Sequence, residues 1–444
     1  MRTAASRALG EQVRRWRRWL VPGIGIKRWL AVVGAGIVVL SAGTVTVAAL
    51  EVPAATGALA RALGRLGPWA WLVPTVLLLG GGILVLVGVR ATLRSIDRVL
   101  FPTGQPTLVE VLRRQRTRGR GPRIVALGGG TGLSTLLRGL KAYSSNITAV
   151  VTVFDDGGSS GRLRRDLGVP PPGDLRDCLV ALAEAEPLMT RLFEYRFPGG
   201  ALDGHALGNL FIAGLVGVTG DLEQAVREAS RVLNIRGRVL PATARDVVLV
   251  AEFADGSVVE GESAIPRVRK PIRRVALRPP DVPALPEVLE AIGEADLILI
   301  GPGSLFTSVI PNLLVPGIAD ALRGARAPRI YICNVMTQPG ETDGFTAVDH
   351  VRALEAAVGG RVCTHVLVNT QLPRNAELLR RYHAEGSFPV DPDLEPLARL
   401  GYEVVAAAVI SEEEVLRHDP RRLARAVMRT AAWAAPRRKP IAAT

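Results

Sequence analysis

Two glycine-rich turns hold the residue types best suited to chemistry. Gly128-Gly129-Gly130-Thr131-Gly132 follows an apolar run, Ile124 to Leu127, and precedes a helix-like segment from Leu133 to about Ala142. Asp155-Asp156-Gly157-Gly158-Ser159-Ser160-Gly161 follows a second apolar run, Ile147 to Phe154. Glycine lets a backbone approach a ligand closely, and a helix N-terminus offers free amides to an anion. The first turn therefore reads as a phosphate or nucleotide contact, the competing reading being a tight turn that needs glycine only for its geometry. No Gly-Lys-Ser/Thr follows it, so it is not a P-loop, and its spacing departs from the dinucleotide fingerprint. Adjacent carboxylates Asp155 and Asp156 at a strand end suit a hard cation such as Mg²⁺ held beside phosphates. They equally suit an Asx-type turn with solvated aspartates. Ser159 and Ser160 have hydroxyls to offer phosphate oxygens. Arg162, Arg164 and Arg165 can pair with phosphate bidentately or simply decorate a solvated turn.

Further candidates lie downstream. His205 and Asn209 are four apart, a spacing that puts them on one helix face. His205 reads as a base, a ligand-orienting group or a capping histidine. Gly301-Pro302-Gly303-Ser304 follows the run Asp296 to Ile300, and Asn334 leads into Thr337-Gln338-Pro339-Gly340-Glu341-Thr342. Both repeat the pattern of a polar loop after a strand, which is also what an ordinary strand-to-helix turn looks like. There is no Ser-His-Asp spacing signature and no metal-ligand cluster of His or Cys.

The elements that must position these residues alternate. Strands are expected at 124–127, 147–154, 296–300, 330–334, 364–369 and 403–409. Helices are expected between them, among them 173–184 with Asp174 as N-cap, 187–195, 204–216, 221–233, 285–293, 316–323 and 346–358. Asp255-Gly256 between two alternating runs predicts a β-hairpin over 247–262. Two closing helices are expected, one opened by a Ser411/Glu414 capping box and one by Asp419-Pro420. This rhythm implies an α/β fold, a Rossmann-like three-layer domain whose mostly parallel sheet is covered on both faces, with a small β-hairpin insertion. In such a sheet the loops at the carboxyl ends of the strands are where ligands bind.

The first 122 residues are different. Trp29 to Leu50 and Leu66 to Val89 carry no charge, and each is long enough to cross a bilayer core as helix, which takes about 20 residues. A signal peptide does not explain a second such run. Pro74 is tolerable in a membrane helix. The chain carries a net charge of +14, and the excess flanks these runs: residues 1–28 hold eight basic and one acidic residue, residues 90–123 nine and two. Arginines on both outer flanks place both ends in the cytoplasm, with residues 51–65 as a short outside loop and Trp69 and Trp71 at the outer interface. Arg113, Arg114, Arg116, Arg118 and Arg120 form a basic connector suited to anionic lipid. Residues 124–444 are close to neutral, which argues against nucleic acid. Cys178, Cys333 and Cys363, three and widely spaced, argue against a disulfide framework. The domains expected are a basic N-terminus 1–28, a transmembrane hairpin 29–89, a connector 90–122, a nucleotide-binding domain 123–435 and a tail 436–444.

At this point longer motifs add up. IVALGGGTGLSTLLRGLK, TVFDDGGSSGRLRRD, PPGDLRDCLVALA, GHALGNLFIAGL, LILIGPGSLFTSVIPNLLVPGI and CNVMTQPGETDGFTAVDHV together resemble the YvcK group of the CofD-like family, the gluconeogenesis factors. The resemblance covers nearly all of residues 123–435 and leaves out the membrane hairpin. It implies a Rossmann-like domain that binds UDP-sugars such as UDP-N-acetylglucosamine and regulates carbon flux into cell-wall precursors, with effects on cell shape. A related branch, 2-phospho-L-lactate transferase, moves a phospholactyl-type group from a guanosine diphosphate conjugate to a deazaflavin with Mg²⁺. Carried over by motif, Gly128 to Gly132, Asp155, Asp156 and Asn209 form the nucleotide and ion environment, joined by Gly301 to Ser304. The resemblance assigns no catalytic base. CofD-like proteins are often dimers, so a homodimer is a further expectation. The expected protein is a membrane-anchored regulator on the cytoplasmic face, with a Mg²⁺-dependent transferase as the rival.

Overall fold

The computed structural model describes residues 26–100, 118–184 and 187–434. Trp16, Trp19, Arg113, Arg114, Arg116 and the tail 436–444 lie outside the described residues. The chain divides into two compact units, residues 1–115 and 116–444.

In the first unit, helices Ile26–Glu51 and Leu72–Leu100 pack along each other. Two segments, Lys27–Glu51 and Gly67–Ser95, are long and apolar enough to cross a membrane. Small residues let the two backbones meet. A Cβ on Gly36 would stand 2.8 Å from the Val85 nitrogen, and one on Gly81 would stand 2.8 Å from that of Leu40. Trp69 and Trp71 are exposed at the turn between them. The expected loop at 51–65 is instead mostly helical, Pro53–Gly64, broken at Gly57.

The second unit is built on seven parallel strands. In chain order these are β1 (Ile124–Gly128), β2 (Ile147–Val151), β3 (Arg238–Pro241), β7 (Leu297–Ile300), β8 (Arg329–Ile332), β9 (His365–Asn369) and β10 (Glu403–Ala407). Their spatial order is β10-β9-β8-β7-β1-β2-β3. Every residue of β1, β2 and β7 is buried, because helices cover both faces and leave no polar side to alternate. The order reverses at β1, between β7 and β2. A doubly wound sheet opens its ligand crevice at that reversal.

Between β3 and β7 the chain inserts an antiparallel sheet of β4 (Val248–Phe253), β5 (Val258–Glu260) and β6 (Ile272–Arg278). The expected hairpin is there, and the basic stretch after it supplies a third strand. Four expectations need correction. The second strand ends at Val151, not Phe154. Residues 411–418 are not a capped helix: β11 (Ile410–Ser411) and β12 (Arg417–His418) pair antiparallel, and Glu412 instead accepts the backbone N–H groups of Arg374 and Asn375. Asp174 is not the N-cap of its helix, Gly173–Leu182, because Pro172 holds that position. His205 precedes the helix Leu207–Thr219, in whose first turn Asn209 lies, so the two do not share a helical face. Only the last helix closes the chain, Pro420–Ala434, capped by the Asp419 carboxylate accepting from the Arg422 N–H at 2.8 Å.

The helix Gly130–Leu140 lies between the site and the last helix. A Cβ on Gly139 would stand 2.0 Å from the Pro420 carbonyl oxygen and 2.8 Å from the Ala424 Cβ. Gly139→Ala is therefore expected to destabilise the domain by about 2 kcal/mol, seen as a lower unfolding midpoint in denaturant. Gly293, in the helix Pro286–Glu294, has open space where its Cβ would be. Gly293→Ala is expected to stabilise by about 0.5–1 kcal/mol in the same assay.

Candidate functional site

A cleft of about 650 Å³ opens at the carboxyl edge of the sheet, at the β1/β7 reversal. One wall is the turn after β1. Gly129 is the N-cap of the helix Gly130–Leu140 and brings no side chain to cap it, so beyond the Gly130 amide, which meets Asp174, the first-turn amides of Thr131 and Gly132 are left for an anion. Gly130 has φ +57°, a conformation glycine adopts at no steric cost. The opposite wall is the turn after β7, where Gly301 has φ +79°. The two turns touch backbone to backbone: a Cβ on Gly132 would stand 2.6 Å from the Pro302 carbonyl oxygen.

Loops after the next strands complete the cleft. Asn334, just beyond β8, donates to the Gly303 carbonyl at 2.9 Å and to Gln338 Oε1 at 3.1 Å, and Gln338 donates to Ser304 Oγ at 2.7 Å. This net ties the third loop to the second. Arg417 and His418 reach the cleft from β12.

Of the residues singled out from sequence, Gly129, Gly130, Thr131, Gly132, Gly303, Ser304 and Asn334 line this cleft. Gly128 and Gly301 sit at the strand ends behind it, and Asn312 Nδ2 donates to the Gly128 carbonyl at 2.9 Å. The neighbouring aspartates part company. Asp155 accepts from the Gly157 N–H at 2.8 Å, and Asp156 accepts from the Ser263 N–H at 2.8 Å, which ties the second glycine-rich turn to the β insertion. Ser159 and Ser160 are buried. The first lies 3.0 Å from His205 Nδ1, and the second accepts from the Gly173 N–H at 3.1 Å. Arg162 donates to the Asp203 carbonyl, and Asn209 accepts from Arg176 at 3.0 Å. These serines, Arg162, His205 and Asn209 form a polar layer that is not part of the cleft lining.

Three carboxylates escape the sequence reading and prove central. Asp174, Glu262 and Glu341 all line the cleft. Asp174 accepts from the Thr152 hydroxyl at 3.0 Å and from the Gly130 amide, so it holds the glycine turn from beneath. Burial, then the charge of Asp155, pushes its pKa up to about 7. Burial also lifts Glu341 to about 7 and raises Glu262 and Asp155. Asp174 carried a signal, since it follows Pro170-Pro171-Pro172-Gly173, and that signal was spent on a helix cap. Glu341 stands inside a loop already singled out. Glu262 lies on the insertion, where sequence gave no hint of its reaching the cleft.

A divalent cation fits part of this floor. Asp155 stands between two further carboxylates: its charge raises Asp174 and that of Asp156 raises it in turn, and Mg²⁺ is commonly held by one or two carboxylates plus substrate phosphates. Asp155 is the carboxylate common to both pairs, with its neighbour Asp156 and with Asp174.

The fold and cleft together define a Rossmann-like α/β protein with an open cleft at its topological switch point. The comparisons agree. The family profile described as 2-phospho-L-lactate transferase CofD matches residues 124–410, so the chain belongs to the CofD family. Within it the chain groups with the gluconeogenesis factors. The gluconeogenesis factor of Bacillus subtilis is 52% identical over 309 residues, 69% of this chain and 97% of its own. That of Halalkalibacterium halodurans is 50% identical over 307 residues, 69% of this chain and 95% of its own. A relative from Nostoc sp. is 50% identical over 427 residues, 94% of this chain and 93% of its own, so its match extends into the apolar hairpin. A crystal structure of a Bacillus halodurans protein superposes with a TM-score of 0.68 at 50% identity, covering 70% of this chain and all of the other.

Proposed function

We propose that this chain is a membrane-anchored regulatory protein that binds a UDP-sugar on the cytoplasmic side and links carbon metabolism to cell-wall precursor supply and cell shape. The observation that carries the ligand class is the glycine-turn N-terminus of the helix Gly130–Leu140, with its Thr131 and Gly132 amides at a roomy cleft at the β1/β7 reversal. Free amides there suit a diphosphate. The gluconeogenesis factors at 50–52% identity support a regulatory role. The two apolar helices, with basic flanks on their outer sides, support an anchor with both ends in the cytoplasm.

Bound Mg²⁺ would supply positive charge beside the phosphates, and Asp155 and Asp174 would hold it. Asp174 also orients the Gly130 amide, and the net of Asn334, Gln338 and Ser304 fixes the far wall. Retention of this acidic pair favours one second reading, a transferase acting on a guanosine diphosphate conjugate, as in the family's description.

Calorimetric titration of the full-length protein in detergent micelles decides between them. Saturable binding of UDP-N-acetylglucosamine, tighter than GDP and without turnover, is the expected result. A preference for GDP that requires Mg²⁺, together with group transfer to a deazaflavin, would overturn it in favour of the transferase. The anchor has its own check: after lysis without detergent the protein is expected in the membrane pellet, and recovery in the soluble fraction would sink that part of the proposal.

A further inference from the structure

Two buried carboxylate oxygens, on residues that line the cleft, have no hydrogen-bond partner. Glu341 is 7% exposed and its Oε2 has no hydrogen-bond partner. The carboxylate is otherwise held, its Oε1 3.3 Å from the donating Thr307 hydroxyl and the group within reach of the Phe306 and Thr307 amides and the Ser304 hydroxyl. Glu262 Oε2 is likewise buried without a partner. The two come from separate parts of the chain, the loop after β8 and the β insertion, yet both line the same cleft. A buried carboxylate without a partner is costly, so a site that keeps two of them is arranged for donors that arrive from outside.

The chemistry of those donors follows from the surroundings. Among the described residues, no group of three or more His, Cys, Asp or Glu side chains is placed to hold one ion. Phosphate oxygens are repelled by these acids and are drawn to the amides of Thr131 and Gly132. What remains is a neutral group with several hydroxyls, able to reach acceptors that face it from two loops. Asn334 and Gln338 are engaged with each other and with Ser304, whose hydroxyl accepts from Gln338 and reaches Glu341, which leaves the two Oε2 atoms as the acceptors without a donor.

Resting on the nucleotide-sugar reading above, we propose that Glu341 and Glu262 form the sugar-recognising end of the cleft, each accepting hydrogen bonds from hydroxyl groups of the sugar while the diphosphate lies on the glycine turn. Glu341→Gln tests this directly. The amide oxygen stays with the Phe306 and Thr307 N–H groups, so the NH₂ turns to the cleft and an acceptor becomes a donor.

The experiment compares UDP-N-acetylglucosamine with UDP on the full-length protein in detergent micelles, by calorimetry, for wild type, Glu341→Gln and Glu262→Gln. Wild type is expected to bind the nucleotide-sugar more tightly than UDP. Each variant is expected to lose about five- to tenfold for the nucleotide-sugar, the scale of one hydrogen bond, and less than about twofold for UDP. Retained UDP affinity then reports an intact fold. If a glutamine variant unfolds, Glu341→Asp, which keeps the charge and draws it back by one methylene, is expected to show the same selective loss. Variants that keep the wild-type sugar preference, or that lose UDP and nucleotide-sugar equally at unchanged thermal stability, overturn the assignment. A wild type that binds no UDP-sugar instead sinks the reading on which it rests.

Discussion

Gly132→Ala is expected to lower nucleotide-sugar affinity by at least about a hundredfold, equivalent to about 2.7 kcal/mol. The cause is steric and local. The new Cβ would stand 2.6 Å from the Pro302 oxygen, 2.8 Å from its carbonyl carbon and 2.9 Å from the Gly303 Cα, all backbone atoms that no rotamer change moves aside. The turn after β1 and the turn after β7 must then separate, and with them the helix N-terminus and the wall that faces it. Gly129→Ala should behave alike for a different reason: its Cβ would stand 2.3 Å from an Asp174 carboxylate oxygen and 2.4 Å from the Thr152 hydroxyl, breaking the bond that holds the turn. The measurement is calorimetric titration with UDP-N-acetylglucosamine, with Gly293→Ala as the control that leaves affinity unchanged. Wild-type affinity in Gly132→Ala would mean that the two turns do not clamp the ligand.

The turns themselves were legible because their signal is local. A buried parallel strand reads as a short apolar run, and a glycine-rich turn directly after it has few other meanings. The second loop at Gly301–Ser304 and Asn334 were legible for the same reason. What sequence could not deliver was convergence over distance. Asp156 is next to Asp155 and its charge acts on it, but it also binds the Ser263 N–H, more than a hundred residues away in sequence. Asp174 joins Asp155 only because Gly173 packs against Ser160 and Asp155; a Cβ at Gly173 would stand 2.6 Å from Ser160 Oγ. The Ser411/Glu414 capping box failed for a related reason. Local propensity offered a helix start, but Glu412 is needed by the Arg374 and Asn375 amides and Arg417-His418 pair back onto Ile410-Ser411. Tertiary demand outweighed a capping signal worth about 1 kcal/mol. The short edge strand β3 and the helix Ala376–Glu385 went unread because neither carries a long periodic pattern.

Glu341→Gln is also expected to change how the fold depends on pH, and this effect is large. Burial lifts Glu341 to about 7 from an ordinary value of 4.5. Between those two pH values the folded state still holds the proton that the unfolded state has given up. A raised carboxyl of this kind costs nothing below about pH 4.5, and it removes stability progressively as pH rises through the window to about 7. The full cost at pH 8 is about 3 kcal/mol. Glutamine keeps the shape and cannot ionise, so the variant is expected to match wild type near pH 4.5 and to exceed it by about 3 kcal/mol at pH 8. His350 and His418, both held neutral by burial, titrate with the opposite sign. They are present in both proteins, so the difference between the two unfolding curves isolates Glu341 from them. The comparison is made on full-length protein in detergent micelles, without ligand, by denaturant titration from pH 4.5 to 8. A flat difference, or a variant less stable than wild type at pH 8, would show that Glu341 is already satisfied in the free protein. Saturating nucleotide-sugar should then narrow the gap at pH 8, because hydroxyl donors that reach Oε2 stabilise the ionised acid in wild type and have no such group to meet in the variant. A group that weakens the fold until its ligand arrives is what separates a recognition residue from a structural one.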